Sequence, residues 1–151
     1  MIGSRIFGCD DCQDVCPWNR FATPCDEALF YPADGNQVPV LTELMRLTKD
    51  QFEERFRLSP VRRAKYAGFL RNVAVALGNS RDDGAVQVLA EALEHVQPLV
   101  RSHAAWALGQ IGGEESYRAL EEALNRETDP DVLEEIRAAS KICETFEASR
   151  A

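Results

Sequence analysis

Three of the five cysteines, Cys9, Cys12 and Cys16, fall within eight residues, and the third is followed by Pro17. The spacing C-x2-C-x3-C-P puts thiolates on successive tight turns, from which neighbouring sulfurs can hold irons of one cuboidal cluster. Zinc is the main chemical rival, yet zinc knuckles pair two C-x2-C units and rarely follow a third cysteine with proline, so iron–sulfur chemistry is favoured. Ordinary free thiols are less favoured than either metal. Three thiolates do not complete a four-cysteine site, because the preceding ligand would stand at position 6, which is Ile6. Cys25 lies a short loop beyond Cys16, could return as an improvised fourth ligand, and is expected to be a free loop thiol. Cys143 sits on an apolar stretch and is expected in the core. His95 has Glu91 one turn back and no third ligand in view; His103 has no acidic or cysteine partner at ligand spacing. Both are expected to be surface or helix-end residues.

These cysteines belong to a chain of 151 residues with 45% apolar side chains and a formal net charge of −8. That length supports one core plus an appendage. No uncharged apolar run reaches the ~18 residues a membrane span needs, and the first four residues lack a secretory h-region, so a cytoplasmic protein with no membrane partner is expected. Thiols in a reducing compartment are better suited to metal than to a disulfide framework. The negative charge speaks against a generic nucleic-acid binder, but it is unevenly spread. Six cations, Arg55, Arg57, Arg62, Arg63, Lys65 and Arg71, occur with no acidic residue between Arg55 and Arg71. On one continuous helix, Arg63 and Arg71 project from the same side about 12 Å apart, a spacing suited to backbone phosphates. A solvated face paired to acidic neighbours is the plainer alternative.

The elements that must position these groups divide the chain into two. Residues 1–38 are broken by Gly3, Gly8, Pro17, Pro24, Pro32 and Gly35, with a turn at Asp34-Gly35-Asn36. Residues 39–151 are expected to be all α-helical. Leu41, Leu44 and Met45 mark a short apolar face, and Thr48 caps a helix carrying Phe52 and Phe56. Ser59-Pro60 starts a long helix to Leu77, with Phe69, Val73, Ala76 and Leu77 in one stripe and Gly78-Asn79 as its stop. A period of 31 residues follows: Ala74, Ala76, Leu77 and Gly78 recur as Ala105, Ala107, Leu108 and Gly109, and Leu89, Glu91, Ala92 and Leu93 recur as Leu120, Glu122, Ala123 and Leu124. Each unit reads as a helical hairpin that stacks into a solenoid. Asp129-Pro130 caps a last helix whose Ile136, Ile142 and Phe146 can close the stack. The segment Leu99-Val100-Arg101 into His103-Ala104-Ala105-Trp106-Ala107-Leu108-Gly109 resembles short, alanine-rich HEAT-like repeats, with Trp106 expected as a core residue filling a larger gap.

Two stretches make the resemblance specific. Cys9-x2-Cys12-x3-Cys16-Pro17 matches the last three cysteines of the bacterial ferredoxin run. The longer stretch from Ile2 to Phe21, including Cys16-Pro17-Trp18-Asn19, resembles the second cluster motif of tRNA epoxyqueuosine reductases. Ser59-Pro60-Val61-Arg62-Arg63-Ala64-Lys65 and the run from Gly68 to Asn79 are similar to the junction where that family enters its C-terminal HEAT-like domain. The resemblance implies that Cys9 and Cys12 bind a second 4Fe–4S cluster and that Cys16 crosses to the first, with the ligand set incomplete in these residues. It implies that Arg62, Arg63, Lys65 and Arg71 position the tRNA anticodon arm on the helical domain. It also implies that the cobalamin-binding catalytic domain, which reduces epoxyqueuosine in tRNA to queuosine, lies upstream. No catalytic residue is expected within residues 1–151, so activity needs that half, as a separate chain, as part of a longer one, or lost. The reading of another class is a stand-alone HEAT-like protein-interaction module with a vestigial cysteine motif.

Overall fold

A stretch rich in Ala, Leu and Glu with capped ends favours helix, and helices lined with small residues pack closely. The computed structural model describes residues 3–27, 31 and 35–148, the side chains of 146–148 excepted. Among these residues all regular structure is helical: α1 (Asp11–Asp14), α2 (Leu41–Met45), α3 (Lys49–Arg55), α4 (Lys65–Ser80), α5 (Val86–Ala92), α6 (Pro98–Ile111), α7 (Gly113–Leu124) and α8 (Pro130–Ala148). Short 3-10 turns occupy Pro17–Phe21, Pro60–Ala64 and Asp83–Ala85. No described helix is long and apolar enough to cross a membrane.

The helices form two layers. In one layer α6 lies between α4 and α8; in the other, α5 and α7 pack against each other, α5 also on α6 and α7 on α6 and α8. The amino-terminal end is closed by α2, on α4 and α5, and by α3 on α4. There Phe52, Phe56 and Phe69 form a ring cluster with centroids 5.0–5.3 Å apart. The repeat register also lines the core, since Ala74, Ala76, Leu77, Leu89, Ala105, Ala107, Leu108, Leu120 and Ala123 are all buried. At the other end Val132, Ile136 and Cys143 are buried and Ile142 is half-buried. The side chain of Phe146, and Asp34 of the expected turn, lie outside the described residues.

The expected caps are present. Thr48 and Gln51 form a reciprocal capping box on α3, and Asp129 Oδ1 accepts from the backbone N–H of Asp131 at 3.0 Å and of Val132 at 3.3 Å. Two sequence expectations are corrected. Gly78-Asn79 is not a helix stop: α4 continues through Ser80 and ends on Arg81 in the left-handed conformation, φ 52°. Gly78 is instead where α4 and α6 cross, because a Cβ there would stand 2.8 Å from Ala107 Cα and 2.8 Å from Trp106 Cζ3. Gly109 repeats this against α8, with Ala139 Cα and Cβ at 2.9 Å. The helix starting at Pro60 is also not continuous to Leu77: residues 60–64 are 3-10, and Lys65 at φ 57°, ψ 163° breaks the path before α4.

The histidines differ in detail from solvated surface residues. His95 follows α5, is half-buried against the Tyr66 ring at 5.8 Å, and accepts through Nδ1 from the Gln97 N–H. Burial lowers its pKa. His103 lies inside α6 with Nδ1 2.9 Å from the Leu99 carbonyl oxygen. Trp106 is partly buried and packs against the core, as its alanine-lined helix suggests.

Candidate functional site

The cysteine segment is built from turns. Gly8 and Asp10 take left-handed conformations, φ 65° and 54°, which fold the chain into the single turn of α1. Asp10 carbonyl oxygen accepts from the N–H groups of Gln13 and Asp14, and Cys16 N–H donates to Gln13 carbonyl oxygen at 3.1 Å. Cys16 is extended, as a residue before proline must be, and Pro17 opens the following 3-10 turn. Asn19 closes this loop: its Nδ2 donates to the Gln13 carbonyl oxygen at 2.6 Å and its backbone N–H to that of Cys16 at 3.0 Å. Arg5 pairs with Asp11 across the base of the turn. Cys9, Cys12 and Cys25 are exposed free thiols and Cys16 is half-buried.

This arrangement fits the donor chemistry of an iron–sulfur cluster in one respect. Soft, exposed thiols on a tight turn can meet a cluster from outside the helical body. Among the described residues no three His, Cys, Asp or Glu side chains are grouped to hold a metal ion. The position of the expected first ligand has another use. Ile6 is half-buried against the helical core, and its carbonyl oxygen accepts from Asn72 Nδ2 at 2.9 Å. Asn79 Nδ2 donates likewise to Gly3 carbonyl oxygen at 2.8 Å.

The four basic candidates fall on two elements. Arg62 and Arg63 lie on the Pro60–Ala64 turn, which Ser59 caps by accepting from the Val61 N–H; Lys65 begins α4. All three are exposed. Arg71 is half-buried on α4, and its Nε and Nη2 donate to Asn72 Oδ1 at 3.1 and 2.8 Å. Because the backbone breaks at Lys65, Arg63 and Arg71 do not share one helical face, and the 12 Å separation expected of a continuous α-helix does not apply to them. Of the other cations in the run, Arg55 is used structurally, donating to Asn36 Oδ1 and the Gly35 carbonyl oxygen at 2.8 Å each.

Asn19, Asn72 and Asn79 escaped sequence reasoning as contributors. A signal was available for the last two: asparagine is a poor helix former, yet two stand seven residues apart within α4.

The chain matches the HEAT repeats family over residues 61–141. It is 46% identical over 116 residues to the epoxyqueuosine reductase of Pseudomonas aeruginosa, a match covering 74% of this chain and 31% of that protein. It is 39% identical over 110 residues to that of Escherichia coli, covering 73% and 29%. Among solved structures, it is similar to an epoxyqueuosine reductase with an epoxyqueuosine-modified tRNA-Tyr stem loop, with a TM-score of 0.87, 30% identity, and coverage of 95% of this chain and 38% of that one. The Bacillus subtilis epoxyqueuosine reductase superposes with a TM-score of 0.86 at 31% identity, covering 93% and 38%. The chain thus spans about a third of the length of the curated relatives it matches.

Proposed function

Since the chain belongs to the HEAT repeat family, we propose that its solenoid is the tRNA-binding C-terminal portion of a tRNA epoxyqueuosine reductase and that residues 1–38 contribute cluster ligands to it. The observation that carries this reading over a stand-alone HEAT module is the reach of the likeness. It covers 95% of the chain, and so extends well beyond residues 61–141. Cys9 and Cys12 serve one 4Fe–4S cluster and Cys16 reaches toward another, the remaining ligands coming from outside these residues. When bound, such a cluster supplies one-electron transfer toward the cobalamin of the catalytic domain. The chain's own residues shape the turn: Gly8 and Asp10 aim Cys9 and Cys12, and Asn19 fixes the loop that presents Cys16. No step of the reduction is assigned to a side chain of this chain. A cytoplasmic setting, where thiols stay reduced, suits this assignment.

The exposed Arg62, Arg63 and Lys65 are the phosphate contacts for a tRNA anticodon arm, with Arg71 behind them. They fix the position of the RNA without reading its bases. Anaerobic preparation with iron and sulfide analysis, alone and together with the catalytic portion of a relative, tests the cysteine assignment. Iron and sulfide retained only in the combination are expected. For tRNA, Arg63→Glu with Lys65→Glu is expected to weaken binding and flatten its salt dependence by roughly two counterions, one for each lost phosphate contact. Unchanged tRNA affinity at low salt in that variant, with no iron in any combination, would put the HEAT interaction module first.

A further inference from the structure

Two asparagines of α4 hold the segment that leads into the cysteines. Asn72 donates to the Ile6 carbonyl oxygen and Asn79 to that of Gly3. The two rungs are seven residues apart on the helix and three apart on the leader. Seven helical residues advance about 10.5 Å, and because the earlier leader residue meets the later helix residue the two segments run antiparallel. Ile6 adds a half-buried apolar contact with the core at the Asn72 rung. Arg71 places two donors on Asn72 Oδ1, at 3.1 and 2.8 Å. With its oxygen so engaged, the Asn72 amide is turned with its NH2 group toward the leader. Beyond Ile6 the left-handed Gly8 redirects the chain, and Cys9 is the next residue.

Each feature has a cost that the clamp explains. Asparagine in a helix interior is less favourable than alanine or lysine, and its side chain competes for nearby backbone groups. Here both side chains serve backbone carbonyls of another segment. An arginine within the basic run is turned onto a neighbouring amide, although its charge suits an anion better. Without the rungs, residues 3–7 would have one half-buried side chain and no described backbone hydrogen bond to hold them on the solenoid.

We propose that Asn72 and Asn79 are positioning residues that clamp the cysteine segment to α4, with Arg71 fixing the Asn72 amide. The functional meaning of the clamp rests on the assignment of Cys9 and Cys12 as cluster ligands; its existence does not. Because the basic turn Pro60–Ala64 immediately precedes α4 and packs on it, the clamp holds the cysteines in a set relation to the proposed phosphate contacts.

The test uses the full 151-residue chain, labelled with 15N, with Cys12, Cys16 and Cys25 changed to serine and a nitroxide on Cys9. In the parent, amide resonances of residues 72–79 are expected to be broadened by the label. Asn72→Asp keeps the shape and the oxygen that Arg71 binds but removes the NH2 donor, and combined with Asn79→Ala it should abolish that broadening. The dispersion of α6 and α8 resonances and the melting temperature report whether the solenoid is intact. If the double variant does not fold, Asn79→Ala alone should still diminish the broadening near residue 79. Broadening equal to the parent's in a folded variant overturns the clamp. Iron and sulfide analysis of the assembled enzyme judges the cluster assignment separately. A clamp that passes beside cysteines that bind no iron stands as a structural contact and refutes the cluster reading.

Discussion

Gly78 and Gly109 occupy the same position in successive repeats, and each lets one helix backbone touch the next. A methyl group at Gly78 would meet Ala107 Cα at 2.8 Å, and one at Gly109 would meet Ala139 Cα at 2.9 Å. These neighbours are backbone atoms of buried helices and cannot swing aside, so the helices must separate. Gly78→Ala or Gly109→Ala is therefore expected to destabilise the solenoid by about 1–3 kcal/mol, the usual range for overpacking. Gly68 supplies the control, since it lies in the same α4 and a Cβ there meets nothing within 4 Å. Gly68→Ala should stabilise by about 0.5–1 kcal/mol through reduced backbone freedom of the unfolded chain. Urea denaturation of the three variants decides it, and equal effects at positions 68 and 78 would refute the crossing argument. The repeat was legible in the sequence because the eight identities keep one register, but the role of its glycine was not. Gly followed by Asn near a helix end is a common stop, and only the neighbouring helix shows that this glycine is a contact. Asn72 and Asn79 were obscure for the same reason: their partners lie more than sixty positions away.

Among the elements, the α7–α8 connection depends on one carboxylate. Glu127 is paired with Arg101 of α6 at 2.6 Å, and the two side chains are only 5% and 16% exposed. Its Oε1 also accepts from the backbone N–H groups of Thr128 and Asp129 at 2.9 Å each. The hydrogen bond from Arg101 comes first and the backbone donors assist; together they outweigh burial and hold the Glu127 carboxyl at about 2, down from 4.5. A carboxyl depressed in the folded state stabilises above its unfolded pKa and loses that contribution as pH falls through its folded pKa. Glu127→Gln is thus expected to cost on the order of 3 kcal/mol at neutral pH. The gap between variant and parent should narrow as pH falls from 4.5 toward 2. Chemical denaturation across that range checks it, and a gap that does not change with pH would mean that packing and not charge accounts for the loss. This connector was read in the sequence only as the cap Asp129-Pro130, because an ion pair bridging 26 positions leaves no local pattern. The break at Lys65 was hidden differently. Ser59-Pro60 announces a helix start correctly, but whether the first turn is 3-10 or α depends on how residues 60–64 pack on α4.

Over the whole molecule, the solenoid and the cysteine segment differ in what holds them. The helical part buries its own core from Leu44 to Cys143. The described leader contributes only Ile6 to the packing around it, and leaves Val15, Trp18 and Phe21 79%, 77% and 64% exposed. Stability in a stacked repeat comes from each hairpin and its interface with the next, and none of Cys9, Cys12 and Cys16 is part of the buried core. The full chain with Cys9, Cys12 and Cys16 all changed to serine is therefore expected to keep its helical circular dichroism and its melting temperature, with or without a chelator. Ala105→Asp should do the opposite. Ala105 is fully buried on α6, the helix that packs against both α4 and α8, and the cation one turn back on that helix, Arg101, is already committed to Glu127. An unpaired carboxylate there carries a desolvation cost of several kcal/mol, comparable with the whole stability of a domain this size. The expected outcome is loss of cooperative unfolding for Ala105→Asp and a parent-like transition for the triple serine variant. A triple variant that melts early or loses helicity would mean that the cysteine segment is part of the folding unit rather than a segment docked on a finished solenoid.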